Sequence, residues 1–296
     1  MGIAELFAAL ARVAHDEGLE PQERVRFERD LARVLQRASG GQYRISAFGT
    51  NTLDVQDRAH EFLTELAFQA RIGRTWSALL APLQLTPADT VVDLCPGPVP
   101  KVELGLFYAG FAGRVVVVDA DARALGALAA YLALFDPKFT VVPAVHDLLT
   151  EPLPTARVVV ANHILDDLAL GWGATRAGLT LGDVYASEEN LRTVWRGLLA
   201  SSVELLDALG PAVGSAFASA VAPGGTLVTC QYAGYIERSL RMPEVTALMQ
   251  ALQARVAHEV MARGFVHDAA WAAAALKPHI HHFDASACWV LRWTGA

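Results

Sequence analysis

The sequence predicts an α/β fold: a parallel sheet covered by helices on both faces, entered through a helical N-terminal region. Three observations predict it. From about residue 88, short β-branched runs alternate with helical stretches, the pattern of strands joined by crossover helices. One run, Val91-Val92-Asp93-Leu94, passes into the tight turn Cys95-Pro96-Gly97-Pro98-Val99-Pro100 and then a helical segment from Val102 to Tyr108. That is how a strand hands over to a helix beside a nucleotide-like ligand. A second run, Val115 to Val118, ends on Asp119, 22 residues after Gly97, where a carboxylate is placed to take two ribose hydroxyls.

The 296 residues allow one large domain, or a core domain with a smaller one. Hydrophobic residues make up 53% of the chain, much of it helix-favouring Ala, so a sizeable core is easily buried. A net charge of −7 and a pI near 5.7 argue against a nucleic-acid partner, which needs a basic face. Cys95, Cys230 and Cys288 lie far apart with no paired spacing, as expected of a reducing compartment without a disulfide frame or metal knuckle. Met1-Gly2-Ile3-Ala4-Glu5-Leu6 carries no basic signal-peptide start, and Leu6 breaks the myristoylation pattern. No apolar run of about 18 residues escapes interruption by charge. A cytoplasmic protein with no membrane partner is expected.

Residues 1–82 read as helical. Leu6, Leu10 and Val13 share one face, and Val25, Leu31, Val34 and Leu35 share another after Pro21. Ala38-Ser39-Gly40-Gly41-Gln42 stops that second helix. Asn51 or Thr52 caps a third, whose stripe of Phe62, Leu66 and Ile72 runs toward Trp76. An N-terminal helical cap over 1–85 and an α/β domain over 86–296 follow. The mixed charges from Glu23 to Arg37 read as a solvated face or as a homodimer surface.

Strands are expected at 90–94, 115–119, 140–146, 156–162 and 225–230, with helices at 102–109, 122–134 and 189–222. Residues 163–222 form a lid-like insertion with helices, and its first part, to about Leu198, is a long segment beside the binding edge. Pro223-Gly224-Gly225 feeds the buried strand ending at Cys230. At the C-terminus, His279 to Phe283, Asp284-Ala285-Ser286 and Ala287 to Trp293 read as a hairpin.

Four strand ends supply polar groups at one edge of such a sheet: Asp93, Asp119, Asp147 and Asn162-His163. One acid at a strand end is an ordinary turn or cap residue. Three in register at successive strand ends point to a ligand at the carboxyl edge. Asp147 is placed to accept from an adenine amino group. The Gly-x-Gly-x-x-Gly pyrophosphate cradle is absent, which suits an adenosyl ligand without phosphate.

On these residues, residues 88–293 resemble the class I S-adenosyl-L-methionine-dependent methyltransferases. The resemblance rests on Val91 to Gly97, Val118-Asp119-Ala120-Asp121, Val145-His146-Asp147, Val160-Ala161-Asn162-His163-Ile164-Leu165 and Pro223-Gly224-Gly225. It implies a Rossmann-like sheet of seven mostly parallel strands, the last antiparallel, and S-adenosyl-L-methionine as cofactor. The turn of Asp93, Cys95 and Gly97 would lie under the methionine part, and Asp119 and Ala120 at the ribose. Asp147 and Leu148 would meet the adenine, with Asn162 and His163 toward the methyl group. The family's turn usually reads Asp-x-Gly-x-Gly-x-Gly, whereas Cys95 and Val99 stand at two of those glycines here. Pro96 and Pro98 stiffen the turn and remove two N–H donors, so the methionine end is held differently. Pro96-Gly97-Pro98-Val99-Pro100 is also similar to the turn of nicotianamine synthases, which transfer the 3-amino-3-carboxypropyl arm of the same cofactor. A cofactor-fold protein that binds without catalysis is a third reading.

His163 is the candidate general base, or else a packed or capping histidine. Asp166 and Asp167 lie three and four residues on, so one of them would orient or charge-stabilise the imidazole if a helix begins there. For a small-molecule acceptor, Tyr185, Tyr232, Tyr235 and Arg238 are the candidate contacts. Trp172 and Trp195 are either pocket walls or core. Tyr43, Phe48, Arg71 and Trp76 are further contributors from the cap. His279, His281 and His282 do not share one strand face, and no metal site is expected.

Overall fold

The computed structural model describes residues 72–133, 137–233, 240–276, 283 and 285–295. Its strands are β1 (Thr90–Leu94), β2 (Arg114–Asp119), β3 (Thr140–Val145), β4 (Ala156–Asn162), β5 (Val221–Cys230), β6 (Phe265–His267) and β7 (Cys288–Trp293). They form one seven-stranded sheet in the order β3-β2-β1-β4-β5-β7-β6. β1 to β5 are parallel, and β7 runs antiparallel to both β5 and β6. The helices are α1 (72–80), α2 (Val102–Tyr108), α3 (Ala122–Ala133), α4 (Leu165–Arg176), α5 (Leu181–Tyr185), α6 (Glu188–Ala200), α7 (Ser202–Ala220), α8 (Pro243–Met261) and α9 (Ala269–Ala275).

Strand side chains alternate between faces, so a sheet covered on both sides builds two cores. Val92, Leu94, Val116, Val118, Val159, Ala161 and Leu227 enter one core, with α4 to α8 over them. Val91, Val115, Val117, Val158, Val160 and Val228 enter the other, with α1 and α3 over them. α1 and α2 meet at backbone distance. A Cβ at Gly105 would lie 2.6 Å from Trp76 Cβ, and one at Gly73 would lie 2.6 Å from Leu104 Cβ.

Several expectations change. β7's described antiparallel neighbours are β5 and the three-residue β6, while the expected partner strand at 279–282 lies outside the described residues. The segment after β4, expected as a lid-like insertion with helices, holds α4, α5 and α6. Leu191, Val194, Trp195 and Leu198 recur at i, i+3, i+4 and i+7 on α6 and are buried, which fixes Trp195 as core. The helix expected at 189–222 is two helices. Ser201, at ψ 31°, breaks the run between α6 and α7 and turns its hydroxyl onto Gly197 O. β5 begins at Val221, earlier than expected, because Ala156 and Val221 already pair before a bulge. Residues 1–71, with Tyr43, Phe48, Arg71 and the charged 23–37 face, lie outside the described residues.

Candidate functional site

In an open sheet of this order the chain reverses direction of travel at β1 and β4, and the crevice outside their carboxyl ends is the binding position. Leu94 pairs with Val118 and with Ala161, and Asp119 pairs with Val145. Continuing the register one residue puts Cys95, Asp119, Val145 and Asn162 on one level. The three acids expected in register therefore form a staircase. Asp93 lies two residues inside that level, opposite Val117 and Val160. Asp119 stands on it, and Asp147 lies two residues beyond it, after β3 has ended.

The turn after β1 is built from special conformations. Cys95 adopts φ 54° and Gly97 φ 72°, so Cys95 takes a left-handed geometry that ordinarily favours glycine. Cys95 is half-buried, and burial pushes its thiol pKa up. Cys95 N–H donates to Val118 O at 2.7 Å. Gly97 N–H donates to Asp119 Oδ2 at 3.3 Å, and Asp121 N–H to Asp119 Oδ1 at 2.9 Å. The Asp119 carboxylate is thereby fixed between the turn and the β2 tip. Burial raises its pKa against those two N–H groups and Lys101, which lower it.

Asp93 does not reach a ligand from the edge. It is 1% exposed, and neither carboxyl oxygen accepts a hydrogen bond from a donor among the described residues. Its neighbour is the equally buried Glu103 of α2. Burial first, then the Glu103 charge, pushes the Asp93 pKa well above the carboxylate range, and burial raises Glu103 too. The two acids thus retain protons that exposed carboxyls lose. Glu103 escapes sequence reasoning because an acid in a first helical turn reads as a surface residue favoured by the helix dipole.

Ala120 is exposed beside Asp119, and Leu148 is buried beyond the β3 tip. Asp147 is exposed and closes its own turn: its Oδ1 accepts from Leu149 N–H at 2.8 Å, while its N–H donates to Glu151 Oε2 at 2.6 Å.

At the end of β4, Asn162 is buried and its Oδ1 accepts from Trp76 Nε1–H at 2.7 Å. Tyr232 OH lies 3.3 Å from Asn162 Nδ2. His163 takes φ 55°, a left-handed geometry rare outside glycine, and its N–H donates to Cys230 O at 2.8 Å. Its Nδ1 lies 2.8 Å from Asp166 Oδ1, in the first turn of α4 as the spacing requires. Leu165 N–H donates to Gln231 Oε1 at 3.3 Å, and Gln231 Nε2 lies 3.5 Å from both His163 Nδ1 and Asp166 Oδ1. Gln231 is only 2% exposed; it opens the segment after β5, and no motif in the sequence marks its contact with His163. Tyr232 packs edge-on to His163 at 4.5 Å and stacks on Phe283 at 4.7 Å. Tyr185 OH donates to Asp167, and Arg176 lies 4.5 Å over the Trp172 ring. Tyr235, Arg238, His279, His281 and His282 lie outside the described residues.

Among the described residues no group of His, Cys, Asp and Glu could hold a metal, and no helix is long and apolar enough to cross a membrane. The strand order and antiparallel β7 are those of the Rossmann-like sheet of class I methyltransferases. No protein-family model matches the chain, and no curated protein matches it. Solved structures are similar to it. The S-adenosylmethionine-dependent methyltransferase SibL shares 15% identity at a TM-score of 0.45, over 98% of this chain and 74% of its own. A geranyl diphosphate C-methyltransferase from Streptomyces coelicolor shares 14% at 0.41, over 84% and 89%. An S-adenosylmethionine-dependent methyltransferase from Clostridium acetobutylicum shares 14% at 0.34 over 57% of this chain, which spans about half of it, 54%.

Proposed function

We propose that the chain is an S-adenosyl-L-methionine-dependent transferase, a methyltransferase acting on a small-molecule acceptor. The observation that carries this reading is the fixed Asp119 carboxylate. Its oxygens take the Gly97 and Asp121 N–H groups at 3.3 and 2.9 Å, which seats it at the β2 tip against the turn. Its remaining lone pairs suit two hydroxyls of a ribose. Cys95 and Gly97 would lie beside the methionine part, and Ala120, Asp147 and Leu148 beside the adenine. Asn162 is the strand-end neighbour of both. The overall acidity favours a metabolite over a nucleic acid as acceptor.

Bound there, the cofactor supplies a carbon already activated by a sulfonium. The chain's own task is to align the acceptor and exclude water. Asp166, 2.8 Å from His163 Nδ1, favours the tautomer with the proton on Nδ1. Nε2 is then the atom that takes a proton from an acceptor that must lose one. Tyr185, Tyr232, Tyr235 and Arg238 are assigned to the acceptor.

A second reading, transfer of the 3-amino-3-carboxypropyl group, is favoured by the proline-rich turn where the methionine part would lie. Product analysis separates the two: adenosylhomocysteine marks methyl transfer and methylthioadenosine the other. Titration calorimetry tests their shared premise. S-adenosyl-L-methionine should bind, and Asp119→Ala should weaken it about tenfold or more, the loss of charge-assisted hydrogen bonds. No binding by the wild type at millimolar cofactor would sink both readings.

A further inference from the structure

The turn from Cys95 to Lys101 has almost no backbone N–H left to offer a ligand. Pro96, Pro98 and Pro100 have none. Cys95 N–H is spent on Val118 O at 2.7 Å, Gly97 N–H on Asp119 Oδ2 at 3.3 Å, and Lys101 N–H on Glu103 Oε2 at 3.2 Å. Val99 alone of these seven residues has an N–H not so committed among the described residues. A glycine-rich turn would hold an anionic group on a nest of such donors; this one cannot.

The surroundings are also acidic. Asp93, Glu103, Asp119 and Asp167 all feel the charge of Lys101, and Lys101 is the sole Lys or Arg between residues 90 and 113. Its ammonium folds back over the turn, 3.2 Å from Pro96 O, and is only half-buried. A carboxylate arriving at the turn meets acidic groups on several sides, and Lys101 is the one Lys or Arg of the turn itself.

We propose that Lys101 is the carboxylate-recognition residue of this site: its ammonium binds the α-carboxylate of the ligand's methionine part, taking over what backbone N–H groups do in a glycine-rich turn. The inference rests on the adenosyl-ligand reading above and adds the group that selects an amino-acid tail. An ammonium carries three donors, so it can keep Pro96 O and still meet a carboxylate. Lys101 acts in binding and positioning, and moves no proton in the transfer.

Titration calorimetry with three ligands tests this without relying on turnover. The ligands are S-adenosyl-L-methionine, its decarboxylated analogue, and methylthioadenosine, which has no amino-acid tail. Wild type should bind the full cofactor about tenfold or more tighter than the decarboxylated analogue, as for one charge-assisted contact. Lys101→Met should lower cofactor affinity to that of the analogue and leave methylthioadenosine unchanged, and Lys101→Arg should restore part of the preference. Equal binding of cofactor and analogue by wild type overturns the proposal with no variant needed. A Lys101→Met variant that keeps the preference, or weakens all three ligands alike, overturns it too. If wild type binds none of the three, the adenosyl reading itself has failed, and this assignment with it.

Discussion

Substituting Asp93 by Asn should change how stability depends on pH. In the unfolded chain Asp93 and Glu103 ionise near pH 4, as ordinary carboxyls do. In the fold both are buried and their pKa values are raised, Asp93 well above its usual range. Above about pH 4 the native state therefore holds protons that the unfolded state has released. Native binding in excess means that stability falls as pH rises. The slope is about 1.4 kcal/mol per pH unit for each proton held, and it ends where the pair titrates in the fold. The two sites titrate as a pair, so the slope belongs to both. Below about pH 4 both states are protonated and the contribution is flat. Asp93→Asn imitates the neutral acid at nearly the same size and removes one proton from the balance. Relative to wild type, the variant should gain about 1.4 kcal/mol per pH unit from about pH 4.5 upward. Urea unfolding followed by circular dichroism, at several pH values and constant ionic strength, measures the difference. Parallel stability curves for the two proteins would refute the account that the buried pair stays protonated in the fold.

Other expectations are simpler. Gly105→Ala places a Cβ 2.6 Å from Trp76 Cβ and 2.9 Å from Gly73 O, so α1 and α2 must separate, at about 1–3 kcal/mol in urea unfolding. Gly126→Ala, in α3 with nothing within 4 Å of the new Cβ, should instead stabilise by up to about 1 kcal/mol; equal losses for both would contradict the close approach. If His163 is a base oriented by Asp166, Asp166→Asn should lower kcat about a hundredfold. A change in KM alone would leave Asp166 a structural residue.

β1, β2 and β4 were legible because each carries a run of valines that enters both cores, whereas Pro223-Gly224-Gly225 hid the start of β5. β6 has three residues and no pattern to read. α4 was obscured by Gly171, Gly173 and the adjacent Asp166-Asp167, which look like loop chemistry until Leu165, Ala169, Leu170 and Ala174 are seen to be buried. The Asp119 end of the site follows from chain order alone, because a strand tip and the next turn are local. Glu103, Gln231 and the Trp76 indole matter through contacts across the fold. No spacing in the sequence encodes Trp76 meeting Asn162 from 86 residues away.

That contact bears on modularity. An outer helix and the catalytic edge are commonly thought of as separable parts, one exchanged while the other is kept. Here Trp76 is fully buried and its indole supplies a donor to Asn162 at the end of β4, next to His163. Excising the chain before residue 85 would leave the buried Asn162 Oδ1 with only the longer approach of Tyr232 OH at 3.4 Å, a loss of about 1 kcal/mol before any apolar contact is counted. A helix grafted from a relative would need an indole or an equivalent donor at the same turn. Trp76 and Asn162 should therefore vary together among homologous chains, as one inherited unit.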